Sequence, residues 1–146
     1  MILPEDLQYL FKEEQAVYGP WDHQRAISKL NGNLAYLYYQ EKEITLEPLP
    51  EAMLDEAEAS PVPDLILVDS EQSTVPIIIE VCHDKGLKRD IEKVIRLVDQ
   101  DYYGIREGFI YNYKKGNWYR YKFGEGGLIT ESSFSEILNL DLGSFL

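Results

Sequence analysis

Apolar residues recur at helical spacing from Ile27 through Leu30, Leu34, Leu37 and Tyr38, which predicts an amphipathic helix over residues 22–41. Asp22 is its expected N-cap. Gly32 costs that helix about 1 kcal/mol against alanine and is read as a mark of close packing. Upstream, Leu3, Leu7, Leu10 and Phe11 suit one or two helical turns, an N-terminal extension over residues 1–20 that the Gly19-Pro20 pair closes. Residues 43–49, EITLEPL, alternate as a strand does, and Pro48 confines that strand to an edge or to its own end. Residues 50–61 are acidic and rich in alanine and proline, a loop. The runs at 64–69 and 76–82 are apolar on both faces, as central strands are, and the short DSEQST stretch between them predicts a hairpin. Helical spacing returns over 87–102 at Leu87, Ile91, Val94, Ile95, Val98 and Tyr102. Two aromatic-rich runs, 107–113 and 118–123, form a second hairpin, residues 127–130 add a strand, and the tail 134–146 is apolar at mixed spacing. The order predicts an α/β fold, one central mixed β-sheet flanked by helices, in a single domain over residues 1–146.

Composition changes this picture little. The chain has 146 residues, 45% of them hydrophobic and 27% charged, enough for one core without disulfides or metal staples. Cys82 is the single cysteine, which excludes a cysteine zinc cluster, and two histidines argue against a histidine-built site, so the ligands of any metal must be mostly carboxylates, which suit Mg²⁺, Mn²⁺ or Ca²⁺. The N-terminus lacks the basic and apolar regions of a signal peptide, and apolar runs stop at about five residues where a membrane span needs about 20. The expectation is a cytoplasmic protein with no membrane association.

Charge excludes one function class and leaves another open. With 14 basic and 26 acidic residues the net charge is −12, so the protein does not bind nucleic acid by bulk positive charge. The acids crowd into residues 41–71, whereas residues 85–122 hold ten bases, from Lys85, Lys88 and Arg89 to Lys122, against five acids. This is either a solvated mixed surface or a local basic patch at one end of the sheet that faces a polyanion.

Glu80 is out of place inside Ile-Ile-Ile-Glu-Val, because a buried carboxylate must be paired, protonated or bound to metal. If the hairpin turn centres on Gln72, Asp64 falls directly opposite Glu80, on the same sheet face, with Cα atoms roughly 4.5–5.5 Å apart. Two facing carboxylates repel, so a cation belongs between them: a divalent metal ion, or a lysine or arginine. Cys82, on the Glu80 side of the strand, reads as a small buried hydrophobe rather than a nucleophile. His23 reads as a cap or surface residue, with an approach to the carboxylates as the other reading. Tyr111, Tyr113, Tyr119 and Tyr121 alternate at period two, a half-buried sheet face or a set of base-stacking platforms.

Pro63-Asp64, fifteen intervening residues and then Ile-Ile-Ile-Glu80-Val81 resemble the PD-(D/E)XK nuclease superfamily, and within it the bacterial putative restriction endonuclease family. Asp22-His23-Gln24 at the head of the first helix, Asp90 to Lys93 on the helix after the glutamate, and Gly104-Ile105-Arg106-Glu107-Gly108-Phe109 follow that family's layout, over most of residues 20–146. The resemblance implies a restriction-endonuclease-like fold and metal-dependent hydrolysis of DNA or RNA phosphodiesters. Asp64, Glu80 and the Val81 carbonyl would hold Mg²⁺ or Mn²⁺, and a lysine would orient the water or stabilise the phosphorane. The superfamily's lysine position is Cys82 here. Lys93 matches the family members that carry the lysine on the following helix, whereas helical register about Ile91, Ile95 and Val98 brings Lys88 nearer the core edge. The rival readings are a catalytically degenerate member serving as an interaction or structural module, and a binding module whose acidic face meets a basic protein. Strand edges allow a homodimer.

Overall fold

The computed structural model describes residues 21–55 and 60–146, so the expected N-terminal extension, residues 1–20, lies outside the described residues. Helix α1, Asp22–Ala35, starts one residue earlier than expected: Trp21 is the cap, and the Asp22 carboxylate instead pairs with Arg25 at 2.8 Å. Its stripe buries Ala26, Ile27, Leu30 and Leu34. The helix widens over Tyr36–Gln40 into one π-helical turn, closed by Glu41 N–H to the Tyr36 carbonyl at 3.0 Å, and Leu37 and Tyr38 still reach the core there. Gly32 faces open space, which corrects the close-packing reading.

Five strands form one sheet in sequence order: β1 Glu47–Pro50, β2 Leu65–Asp69, β3 Thr74–Cys82, β4 Glu107–Asn112 and β5 Asn117–Lys122. Among the described residues only β3 and β4 run parallel, joined by helix α2, Asp84–Gln100, as a parallel pair requires. The β2–β3 hairpin has the expected register, with Leu65 opposite Ile79, Ile66 opposite Ile78 and Leu67 opposite Ile77. Strand β1 starts later than residue 43, although Ile44 and Leu46 before it are buried, and Pro48 and Pro50 sit on the sheet's free edge, where a missing N–H costs no ladder bond.

Strand alternation divides the core into two layers. Leu65, Leu67, Ile77, Ile79, Val81, Phe109 and Trp118 pack against α1. Ile66, Ile78, Cys82, Ile110 and Tyr121 pack against Val94, Leu97 and Val98 of α2. Gly108 lets α2 lie this close: a Cβ there would sit 2.3 Å from Val94 Cγ1. The expected strand at 127–130 is only a single bridge from Thr130 to Arg120, because Gly124, Gly126 and Gly127 take positive-φ turns just before it. The tail folds back as two short paired segments, β6 Phe134–Ser135 and β7 Leu140–Asp141, and buries Leu142 beneath α1. Buried Glu107 holds that tail, accepting hydrogen bonds from Ser135 Oγ at 2.7 Å and from the backbone N–H groups of Glu136 and Ile137 at 2.9 and 3.3 Å. Among the described residues, no helix is long and apolar enough to cross a membrane.

Candidate functional site

Four chain segments meet at one end of the sheet: the start of α1, the start of β2, the end of β3 and the start of α2. Asp64 immediately precedes β2, and its Oδ2 accepts the Val81 N–H at 2.7 Å, so the side chain clamps onto β3 where the ladder ends. Glu80 follows the alternation of Ile78 and Cys82 and therefore points into the α2 layer, with only 4% of its surface exposed. Lys93 Nζ, 25% exposed, donates to Glu80 Oε1 at 3.1 Å. Glu80 is therefore met by a lysine, while the basic side chain at Asp64 is His23. Lys88 is exposed, and among the described residues it forms no ion pair with either carboxylate.

Lys88 does not lie at the core edge, because Ile91 and Ile95 do not centre the buried stripe of α2. The buried residues of α2 are Asp90, Val94, Leu97 and Val98, while Ile91 and Ile95 are half-buried. At about 100° per residue Lys93 lies about 100° from Val94 and Lys88 about 120° away on the other side. From its flank the lysine stem runs along apolar surface and carries the ammonium to Glu80.

Burial and the neighbouring Asp64 carboxylate push the Glu80 carboxyl up to about 7, against the lowering effect of Lys93, and Asp90 raises it further. Asp90 went unrecognised as a member of this group. It is buried, its carboxyl is raised by desolvation, and Arg89 Nε stands 3.7 Å away. Its spacing to Val94 and Leu97 was the available signal, an acid on the apolar stripe of its helix. His23 is neither a cap nor a free surface residue: its Nε2 lies 3.4 Å from Asp64 Oδ2. Its imidazole is raised, first by the hydrogen bond to Asp64, with burial opposing.

Cys82 behaves as the hydrophobe expected. Burial, with Asp90 and Glu80 nearby, pushes its thiol up to about 12, which leaves almost no thiolate at neutral pH. His83 caps α2, its Nδ1 accepting the Lys85 N–H at 3.1 Å. The four tyrosines divide between the faces. Tyr119 and Tyr121 belong to the α2 layer, with the Tyr121 hydroxyl donating to Asp99 at 2.7 Å. Tyr111 and Tyr113 lie on the α1 side.

Among the described residues no group of three or more His, Cys, Asp or Glu side chains is placed to hold a metal ion. The potential donors are therefore two carboxylates and a backbone carbonyl, all hard oxygens, with Lys93 at Glu80 and near Asp90. Such a sparse oxygen set fits a small divalent cation that keeps waters and takes phosphate oxygens as its remaining ligands.

The basic residues of 85–122 separate in space. Lys85, Lys88 and Arg89 open α2, and Lys114 and Lys115 occupy the β4–β5 turn, all at the carboxylate end. The two groups are neighbours, because Lys114 and Lys115 both reach Asp84, at 3.8 and 3.9 Å. Arg106 and Lys122 lie at the opposite end of the sheet.

No family model and no curated protein matches the chain. Its fold does match a solved structure, the crystal structure of a protein from Anabaena variabilis described as a putative nuclease belonging to DUF820, with a TM-score of 0.64 at 11% identity over 85% of this chain and 81% of that one. The two proteins share an α/β fold built on a central mixed sheet, and in this chain the end of that sheet gathers Asp64, Glu80 and Lys93.

Proposed function

We propose that this protein is a metal-dependent nuclease of the PD-(D/E)XK type that hydrolyses phosphodiester bonds of DNA or RNA. The observation that carries the reading is that Asp64, held on the Val81 N–H, acts electrostatically on the buried Glu80 carboxylate, which Lys93 meets from α2. The fold shared with a protein described as a nuclease supports it.

Asp64, Glu80 and the Val81 carbonyl would hold Mg²⁺ or Mn²⁺. When bound there, the ion supplies Lewis acidity at the phosphate and a low-pKa water. The chain's own residues supply the rest. Val81 N–H fixes the Asp64 carboxylate against β3. The Lys93 ammonium, beside Glu80, would turn to the phosphate oxygens or the attacking water, the part the resemblance assigns to a lysine. His23 orients Asp64 from α1, on the same oxygen that the Val81 N–H meets, and stays outside the ligand set.

Calorimetric titration with Mn²⁺ tests the reading. The wild-type protein should show saturable binding that disappears in Asp64→Ala and in Glu80→Ala, whereas Lys93→Ala should keep the ion and lose cleavage of nucleic acid. A folded wild type that binds no Mn²⁺, alone or with an oligonucleotide present, refutes it. One observation favours a second reading. The Lys93 ammonium already neutralises Glu80 without an ion, as a degenerate fold member serving as an interaction module would require. That reading expects no Mn²⁺ binding and unchanged nucleic acid.

A further inference from the structure

Two clefts open side by side at the carboxylate end, and Tyr113 walls both. One, about 270 Å³, lies over Val81 and Cys82 and has His23, His83 and Arg89 on its rim. The other, about 310 Å³, lies on the α1 side between Arg25, Lys29 and Tyr111. Imidazole contacts fix the shared wall, since the rings of His23 and His83 both meet Tyr113 nearly perpendicularly, at 6.3 and 6.2 Å between centroids.

We propose that this pair of clefts takes a single-stranded polynucleotide, one nucleotide on each side of Tyr113, with the phosphate between them beside His23 and Asp64; the inference rests on the nuclease reading and names its substrate class. Size and shape point to this occupant. Each cleft lies at the small end of ligand pockets, which suits one nucleotide and not a duplex. The carboxylate to be reached is almost fully buried, and a stiff duplex cannot bend its backbone around a tyrosine wall to approach it. An unpaired strand can splay its bases into separate clefts, where Tyr111 and Tyr113 offer stacking faces.

Charge points the same way. The chain carries −12, and a duplex brings one negative charge per ~1.7 Å of axis against one per ~3.4 Å for each strand, so a single strand meets far less repulsion. The acids that line the clefts, Asp22 and Asp90, are met by Arg25 at 2.8 Å and Arg89 at 3.7 Å, so the clefts add little negative charge of their own. Lys29 is exposed and, among the described residues, in no ion pair, free for a phosphate.

Fluorescence anisotropy with a labelled twelve-nucleotide oligothymidylate and with the corresponding A·T duplex tests this, using the full chain in chelator and again in Ca²⁺. The single strand should bind at least tenfold more tightly. Tyr113→Ala should weaken it roughly tenfold, the loss of about one stacked base, while Tyr113→Phe, which keeps the ring, should bind as wild type does. Lys29→Glu should weaken it several-fold and lower the salt slope by about one. Arg96→Glu, the same charge change on an exposed part of α2, should leave it unchanged. Duplex binding as tight as single-strand binding, or single-strand binding indifferent to both Tyr113→Ala and Lys29→Glu, overturns the inference. The nuclease reading survives that result if Mn²⁺ still binds at Asp64 and Glu80, and it falls as well if neither nucleic acid nor Mn²⁺ binds.

Discussion

Replacing Glu80 with glutamine should make the metal-free protein more stable at pH 8 and leave it nearly unchanged at pH 4. The carboxyl is buried beside Asp64 and Asp90, and its pKa stands at about 7 in the folded protein against 4.5 for the free group. Because the folded value is the higher one, the folded state holds the proton more tightly. Between about pH 4.5 and 7 unfolding therefore releases a proton, and stability falls as pH rises. Above pH 7 the folded protein must carry the ionised group, at a cost of about 1.4 kcal/mol for each of about 2.5 pH units, on the order of 3 kcal/mol. Glutamine has the shape of the protonated acid and never ionises. Lys93, left without its partner, is partly exposed and can turn to water. The variant's advantage should therefore grow from near zero at pH 4 to on the order of 3 kcal/mol at pH 8, a rise in Tm on the order of 10 °C for a domain of this size. Urea unfolding followed by the fluorescence of Trp118, which packs in the α1-side core, would measure it in chelator at pH 4, 5, 6, 7 and 8. Groups common to both proteins, His23 among them, cancel to first order. A difference independent of pH, or a wild type more stable than the variant at pH 8, would refute the reasoning. Saturating Mn²⁺ should reverse the order at pH 8, because binding to the folded wild type alone stabilises it by mass action.

Gly108→Ala should destabilise by about 1–3 kcal/mol, since its Cβ would stand 2.3 Å from Val94 Cγ1, and chemical denaturation of the variant beside the pair Gly108→Ala with Val94→Ala should show part of that loss recovered. Glu107→Ala should cost about 3 kcal/mol, because it leaves three donors of the C-terminal tail without their acceptor, while Arg120 keeps Glu136 and the Phe134 carbonyl. Limited proteolysis should then cut within residues 131–140 well before the wild type is cut there; equal rates would mean that the tail is held by Leu142 and not by Glu107.

Much of the fold was legible because its signals are local. The two apolar runs at 64–69 and 76–82 are separated by a turn too short to allow alternatives, and a period of two then dictates which residues face each other. The pairing of Leu65 with Ile79 follows, and with it the approach of Asp64 to Glu80. The central helices and the second hairpin were legible for the same reason. The strand expected at 127–130 was not, because a run of glycines leaves the residues before it in turns and only Thr130 meets the sheet.

The sequence alone thus determined a mixed α/β sheet with two acids brought together across a hairpin, since strand periodicity and turn length act through neighbouring residues. Which side chains complete the site was decided by tertiary structure. A helix can rotate about its axis at little local cost, and only its packing sets the angle. Here the Gly108 gap admits Val94, turns Asp90 inward and leaves Lys93, not Lys88, within reach of Glu80. His23 comes to the same place through the docking of α1 against the sheet, and Tyr113 through the parallel pairing of β3 with β4, from segments some 40 to 50 residues from Asp64 in the chain, contacts that no local pattern encodes.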